Sequence, residues 1–106
     1  MITIEEFKKM ELQIAEIVSA VPHPQADKLL VLRVRMGETE RTLVAGIRPY
    51  YQESELVGKK IVVVTNLMPA QIRGVTSEGM LLAASHTHSL SLLVPDREIS
   101  SGAGVS

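Results

Sequence analysis

A chain of 106 residues, 45% of them hydrophobic and 22% charged, has material for one buried core and not two. It contains no cysteine, which excludes disulfide frameworks and thiolate chemistry and leaves no argument for secretion. The net charge of −1 runs against the basic footprint usual in nucleic-acid binders, but residues 21–80 hold eight basic groups against six acidic, and the two ends three against six. The middle of the chain can therefore present a modest positive face, or a solvated one of mixed charge. No apolar run approaches the roughly 20 residues a spanning helix requires, and the opening MITIEEFKKM has the character of neither a signal nor a transit peptide. One cytoplasmic domain over residues 1–106, off the membrane, is the expectation.

Thr3 and Glu6 have capping-box spacing and predict one helical turn through Phe7–Lys9. The next segment, Met10–Val21, is strand-like, with Met10, Leu12 and Ile14 on one face. Glu16 breaks the phase and Ile17 and Val21 resume on the other parity, which predicts a bulge where a strand bends to serve two sides of a barrel. Pro22, Pro24 and Asp27 form a loop. Leu30, Leu32, Val34 and Met36 then alternate inward against Val31, Arg33 and Arg35, and Gly37-Glu38 supplies a tight turn into a third strand at Thr42–Ile47. That turn sets Arg35 opposite Glu40 and Arg41 beside Val34. Arg35 is then either a cross-strand ion pair or a phosphate ligand, and Arg33 is the freer of the two.

Pro49–Val57 reads as a short helix ended by Gly58 in the left-handed region. Lys59–Asn66 is a fourth strand and Glu78–Ser85 a fifth. Five strands with a helical turn between the third and fourth follow the order of an all-β OB-fold barrel. The fourth and fifth strands are joined by Asn66–Gly79, a polar loop carrying Arg73, which is either a plain hairpin connection or a binding loop held by rigid strands. After the barrel, in a C-terminal extension of about 86–106, Leu90, Leu92 and Val94 are apolar groups that a closed five-stranded barrel does not need. They would cover either the outside of the barrel or a second copy of the molecule, a symmetric dimer being the commonest way to hide such a patch.

With only Phe7, Tyr50 and Tyr51 as aromatic residues, the chain has no platform for stacking several unpaired bases. An RNA partner would be a folded one, read by shape and backbone. Ser85, His86 and His88 do not form a nucleophile–base pair, because adjacent strand residues face opposite ways. His86 and His88 share a strand face but have no third metal ligand. The glycines are isolated, without a phosphate loop. No catalytic residue, metal or cofactor is expected.

The ordered segments HPQADKLLVLRV (His23–Val34), TLVAGI (Thr42–Ile47), NLMPAQIRGVTSEGMLLAAS (Asn66–Ser85) and VPDRE (Val94–Glu98) resemble the OB-fold tRNA-binding domain family over nearly the whole chain. That family includes the C-terminal domain of methionyl-tRNA synthetases, the archaeal β subunit, a free-standing dimeric tRNA-binding protein and the secretion-related chaperone CsaA. The resemblance implies a non-catalytic module that binds folded tRNA with little dependence on sequence. It also implies a homodimer formed through N- and C-terminal extensions, either free-standing or partnered with methionyl-tRNA synthetase.

Carried over by position, the RNA-facing residues are Lys28, Arg33, Asn66, Arg73, Ser77, Glu78 and Met80. Lys28 and Arg73 would meet phosphates, Asn66 sugar or base edges, and Ser77 the same rim. Glu78 would accept from a 2′-hydroxyl or brace an arginine, and Met80 has core packing as its alternative. Where relatives place basic residues, this chain has the neutral Met68-Pro69-Ala70-Gln71. That loop suits the alternative function, a CsaA-like chaperone binding unfolded polypeptide.

Overall fold

The alternation of Leu30, Leu32, Val34 and Met36 sets the frame. Each is at most 5% exposed, and together they form the inner face of β2 (Leu30–Met36). The computed structural model describes residues 1–106. β2 pairs antiparallel with β3 (Thr39–Ala45) across Gly37-Glu38, with Gly37 at φ 61°. Arg35 falls opposite Glu40 and Arg41 opposite Val34, as the turn predicts.

β1 (Leu12–Pro22) is the spine of the sheet. Its first half pairs with β4 (Lys60–Val64) and its second half with β2, and the register shifts between Ile17 and Ser19. That shift is the bulge foreshadowed by the break in phase at Glu16, and it lets one strand turn the corner between two neighbours. Between β3 and β4 the helix α2 (Glu53–Leu56) inserts Leu56 into the core, and Gly58 at φ 92° follows it. The first helix, α1 (Ile4–Phe7), has both hydrogen bonds of the Thr3/Glu6 capping box and buries none of its residues.

Two short hairpins complete the chain. β5 (Ala70–Ile72) pairs with β6 (Val75–Ser77), and β8 (Ala83–His86) with β9 (Ser89–Leu92). Between them β7 (Met80–Leu81) pairs with β4, and β10 (Gly104–Val105) adds to the start of β1. The main sheet therefore runs β3-β2-β1-β4-β7, curled into an OB-like half-barrel. β3 and the segment before β7 close the curl with little ladder. Glu78 N donates to Thr42 O at 2.8 Å, Thr42 N to Glu78 Oε1 at 2.8 Å and Val44 N to Ser77 Oγ at 3.0 Å. Side-chain oxygens stand in for strand carbonyls along the free edge of β3.

Two expectations require correction. The fifth strand does not run unbroken over Glu78–Ser85: it parts at Leu82, where β7 ends and β8 leaves to pair with β9. The tail is also not surplus to the core, because Leu92 is buried in it and Leu90 packs against it. A two-residue β7 leaves that wall of the barrel short, and Leu92 fills the gap, with its N–H donating to the Tyr51 hydroxyl at 3.1 Å. Thr87 takes φ 54° in the β8–β9 turn, so His86 ends a strand while His88 lies in the turn, and the two do not share a strand face.

Residues 95–106 fold back along β1. Ile14 N donates to Ala103 O and Gly102 N to Ile14 O, at 2.9 and 2.7 Å. Lys60 Nζ donates to Glu98 Oε1 and to Ile99 O. The hydrogen bond and positive charge of Lys60 hold the Glu98 carboxyl below its ordinary value of 4.5.

Candidate nucleic-acid interface

The segment Asn66–Gly79 is a built arm and not an open loop. Its two three-residue strands meet at Arg73-Gly74, with φ of 51° and 88°. Positive φ at both central residues is the signature of the type I′ turn that matches strand twist. Arginine is an unusual first residue there, because its Cβ crowds the backbone in the left-handed region. Asparagine or glycine would fit with less strain, so arginine is held at this tip at a conformational cost.

The arm is bolted to the barrel by polar side chains. At its roots, Arg41 Nη1 donates to Thr65 O at 2.5 Å and to Glu78 O at 3.3 Å. Just before the turn, buried His23 accepts at Nδ1 from Gln25 N and bonds Ile72 O through Nε2, both at 3.0 Å. That pairing fixes the tautomer, with the proton on Nε2. At its tip, Arg73 Nη1 donates to Gln25 O at 2.8 Å. No buried side-chain polar atom lacks a partner.

The residues singled out from the sequence divide by what their side chains do. Lys28 and Arg73 share a cleft of about 410 Å³ between the 23–29 loop and the arm tip, together with Asp27. Both are exposed. Arg33 is on the outward face of β2 but is not the freer arginine: Arg33 Nε meets Glu40 at 3.1 Å and Nη1 donates to Thr42 Oγ1 at 2.9 Å. Arg35 pairs with Glu16 on β1 instead of the facing Glu40. The β1–β2 register puts Glu16 directly across from it, and only the bulge sets that register. Since Arg33 and Glu40 are each more than 40% exposed, their pairing is weak and a phosphate can compete for the guanidinium.

Asn66 accepts from Glu11 N at 2.9 Å and donates to Lys9 O at 2.7 Å, tying the chain after α1 to the arm root. Ser77 is buried, accepting from Val44 N and donating to Gly79 O, and Glu78 accepts from Thr42 N. Met80 is 51% exposed and not part of the core. It lines a hollow of about 270 Å³ with Val44, Leu67, Met68, Ala70 and Ile72, and Met68 at its lip is 89% exposed. Sequence reasoning assigned no role to His23 or Arg41. His23 lies within the first segment of the resemblance, but neither its burial nor its partner 49 positions away is marked in the sequence.

Residues 12–104 match the family model described as "Putative tRNA binding domain". The chain belongs to that tRNA-binding domain family. It is 48% identical to the methionine–tRNA ligase of Pyrococcus furiosus over 98% of its own length and 50% identical to that of Thermotoga maritima over 99%. It spans only 14% and 17% of those two proteins. Among solved structures, the MetRS-related protein of Pyrococcus horikoshii superposes with a TM-score of 0.93 at 34% identity, covering 100% of this chain and 98% of that one. The CsaA chaperone protein of Picrophilus torridus superposes with a TM-score of 0.93 at 29% identity, with both chains fully covered. The tRNA-binding domain here therefore shares its fold closely with proteins of two different descriptions. No helix of the chain is long and apolar enough to cross a membrane.

Proposed function

We propose that this tRNA-binding domain recognises folded tRNA by shape and backbone, with little dependence on sequence, as a non-catalytic homodimeric accessory to methionyl-tRNA synthetase in the cytoplasm. The observation that carries the reading is Arg73, held in a strained left-handed turn at the tip of a braced arm, in one cleft with Lys28. Two cations lining one cleft suit backbone phosphates, which position a nucleic acid without reading its sequence. Arg33 supplies a third positive group on the neighbouring strands, and exposed Met80 an apolar surface for a sugar or base edge. Asn66, Ser77 and Glu78 act through the architecture of the arm, and of the three only exposed Asn66 and half-buried Glu78 keep hydrogen-bonding capacity toward the RNA. Phe7 and Tyr50 are the exposed aromatic residues, too few for a stacking platform.

The homodimer is supported by apolar side chains at both ends of the chain: Ile2, Ile4 and Phe7 around α1, and Leu93, Val94 and Ile99 after β9, all exposed. Light scattering at micromolar concentration should give about twice the 11.6 kDa protomer mass. A monomer would remove this part of the reading. The function itself is tested by gel shifts across a salt series. Several tRNA species should bind comparably, and better than an unstructured oligonucleotide of equal length. Preference for the unstructured strand defeats the proposal.

A second reading is favoured by the methionine-lipped hollow at Met68 and Met80, since flexible apolar lining suits variable peptide side chains. Suppression of aggregation of an unfolded protein, without tRNA binding, would select this chaperone-like alternative.

A further inference from the structure

We infer that Arg41 is a positioning residue for RNA recognition, one that sets the pose of the arm without touching the RNA. The inference rests on the tRNA reading above. Arg41 shares strand parity with buried Leu43 and Ala45 and sits opposite buried Val34. Its side chain therefore leaves β3 on the core side, whereas Glu40, Thr42 and Val44 project from the outer face with Arg33. A cation in an inward row is costly unless it is well satisfied, and Arg41 has no carboxylate within ion-pair distance. Its partners are two carbonyl oxygens, Thr65 O and Glu78 O. These belong to the residues immediately before Asn66 and immediately after Ser77, the two roots of the arm.

A hairpin of three residue pairs does not hold its own position in water. Its pose must come from outside the ladder: Asn66 ties one root to the chain after α1, Ser77 and Glu78 tie the other to β3, and His23, Arg73 and Arg41 add further grips. His23 grips the last residue before the turn through Ile72 O and Arg73 grips the 23–29 loop through Gln25 O, so both act near the tip. Arg41 is the one side chain that holds both roots, and with one nitrogen, beside the short β4–β7 ladder that ends at Val64–Met80. With it gone, the base of the arm loosens on that short ladder, and the arm has no single preset pose against the barrel. The ordering cost that Arg41 removes in advance is then met on binding. A lysine at this position has charge and reach but no planar fork, and restores the grip only in part.

The test uses the full chain with Arg41→Met, which keeps an apolar stem, and Arg41→Lys. Arg41→Met should bind folded tRNA about tenfold more weakly, with an unchanged slope of log affinity against log salt. Its β5 and β6 amides should exchange faster than in the wild type, while those of β2 keep their protection. Arg41→Lys should fall between the two. A slope shallower by about 0.9 in Arg41→Met would mean that Arg41 contacts a phosphate itself, and would overturn the inference. Unchanged affinity with unchanged arm exchange would do the same. Should Arg41→Met not fold, Arg41→Lys and wild-type exchange decide: arm amides as labile as those of the chain termini refute the braced arm. A wild type without tRNA affinity defeats the tRNA reading, and the exchange comparison alone then decides whether Arg41 holds the arm.

Discussion

β2 and the β5–β6 arm are both antiparallel strands, yet different forces hold them. β2 has seven residues, backbone ladders on both sides, and an inner row with no measurable or only slight exposure. The arm has three-residue strands, a single buried side chain in Ser77, and side-chain hydrogen bonds from Arg41, His23 and Arg73 as its moorings. Hydrophobic burial is spread over many contacts and tolerates polar change at the surface. A mooring made of single hydrogen bonds does not. Substitutions in the inner row of β2 should therefore act on stability with the RNA face intact, and substitutions around the arm on affinity with the barrel intact.

The largest effect that sharpens this contrast is Leu32→Ala. Leu32 is fully buried, and truncation should cost about 2–5 kcal/mol of unfolding free energy, read by denaturant titration. The folded fraction should still bind tRNA with wild-type affinity. Loss of specific affinity in the folded variant would break the separation of core from arm.

Next comes Ser77→Ala. It strips the partner from Val44 N–H and Gly79 O, and leaving such half-buried groups unmet should cost about 1–3 kcal/mol. Affinity should fall through disorder of the arm, with no change in salt slope. Weaker binding without destabilisation or faster arm exchange would assign Ser77 a direct RNA contact instead.

A smaller effect tests the strained tip. Arg73→Asn relieves the left-handed penalty but loses the bond to Gln25 O, so the thermal midpoint should hardly move. tRNA affinity should weaken by about 1.5 kcal/mol, as for a charge-assisted hydrogen bond, with a salt slope shallower by about 0.9. Arg97→Ala is the control: Arg97 is 92% exposed, away from the arm, and should change neither. If Arg97→Ala weakens binding while Arg73→Asn does not, the interface lies on another face.

The smallest effect lies at the C-terminal segment. Lys60 lowers the Glu98 pKa, so the contact contributes fully above the ordinary carboxylate value of 4.5 and is lost as pH falls through the lower folded value. Glu98 is fully exposed to solvent, and salt should screen the contact readily. In a carboxyl-resonance titration, Lys60→Met should move the Glu98 midpoint upward toward 4.5. No movement would mean that Lys60 holds the segment through Ile99 O alone.

The parts legible in the sequence are those where one physical signal repeats. Period-two alternation marked β2, and a break in that period marked the bulge in β1. The capping box at Thr3 and the left-handed Gly58 were legible because each depends on neighbours a few positions away. The arm left no such trace, since three-residue strands are too short to show a period and Arg73-Gly74 lacks the usual Asn-Gly of its turn. The break at Leu82 was hidden for a related reason: residues 80–84 are apolar throughout, and a uniform run carries no mark of where a strand changes partner.

By itself, then, the sequence determined the inward row of β2, the turn at Gly37-Glu38, and which family the pattern of segments resembles, because all three follow from local spacing and residue type. Tertiary structure alone decided who meets whom. Glu16 rather than Glu40 neutralises Arg35, Leu92 completes the core from the tail, and His23 and Arg41 reach across 49 and 24 or more positions to hold the arm. Such pairings depend on sheet register, curl and twist, which arise only when all the strands are assembled, so no window of local sequence contains them.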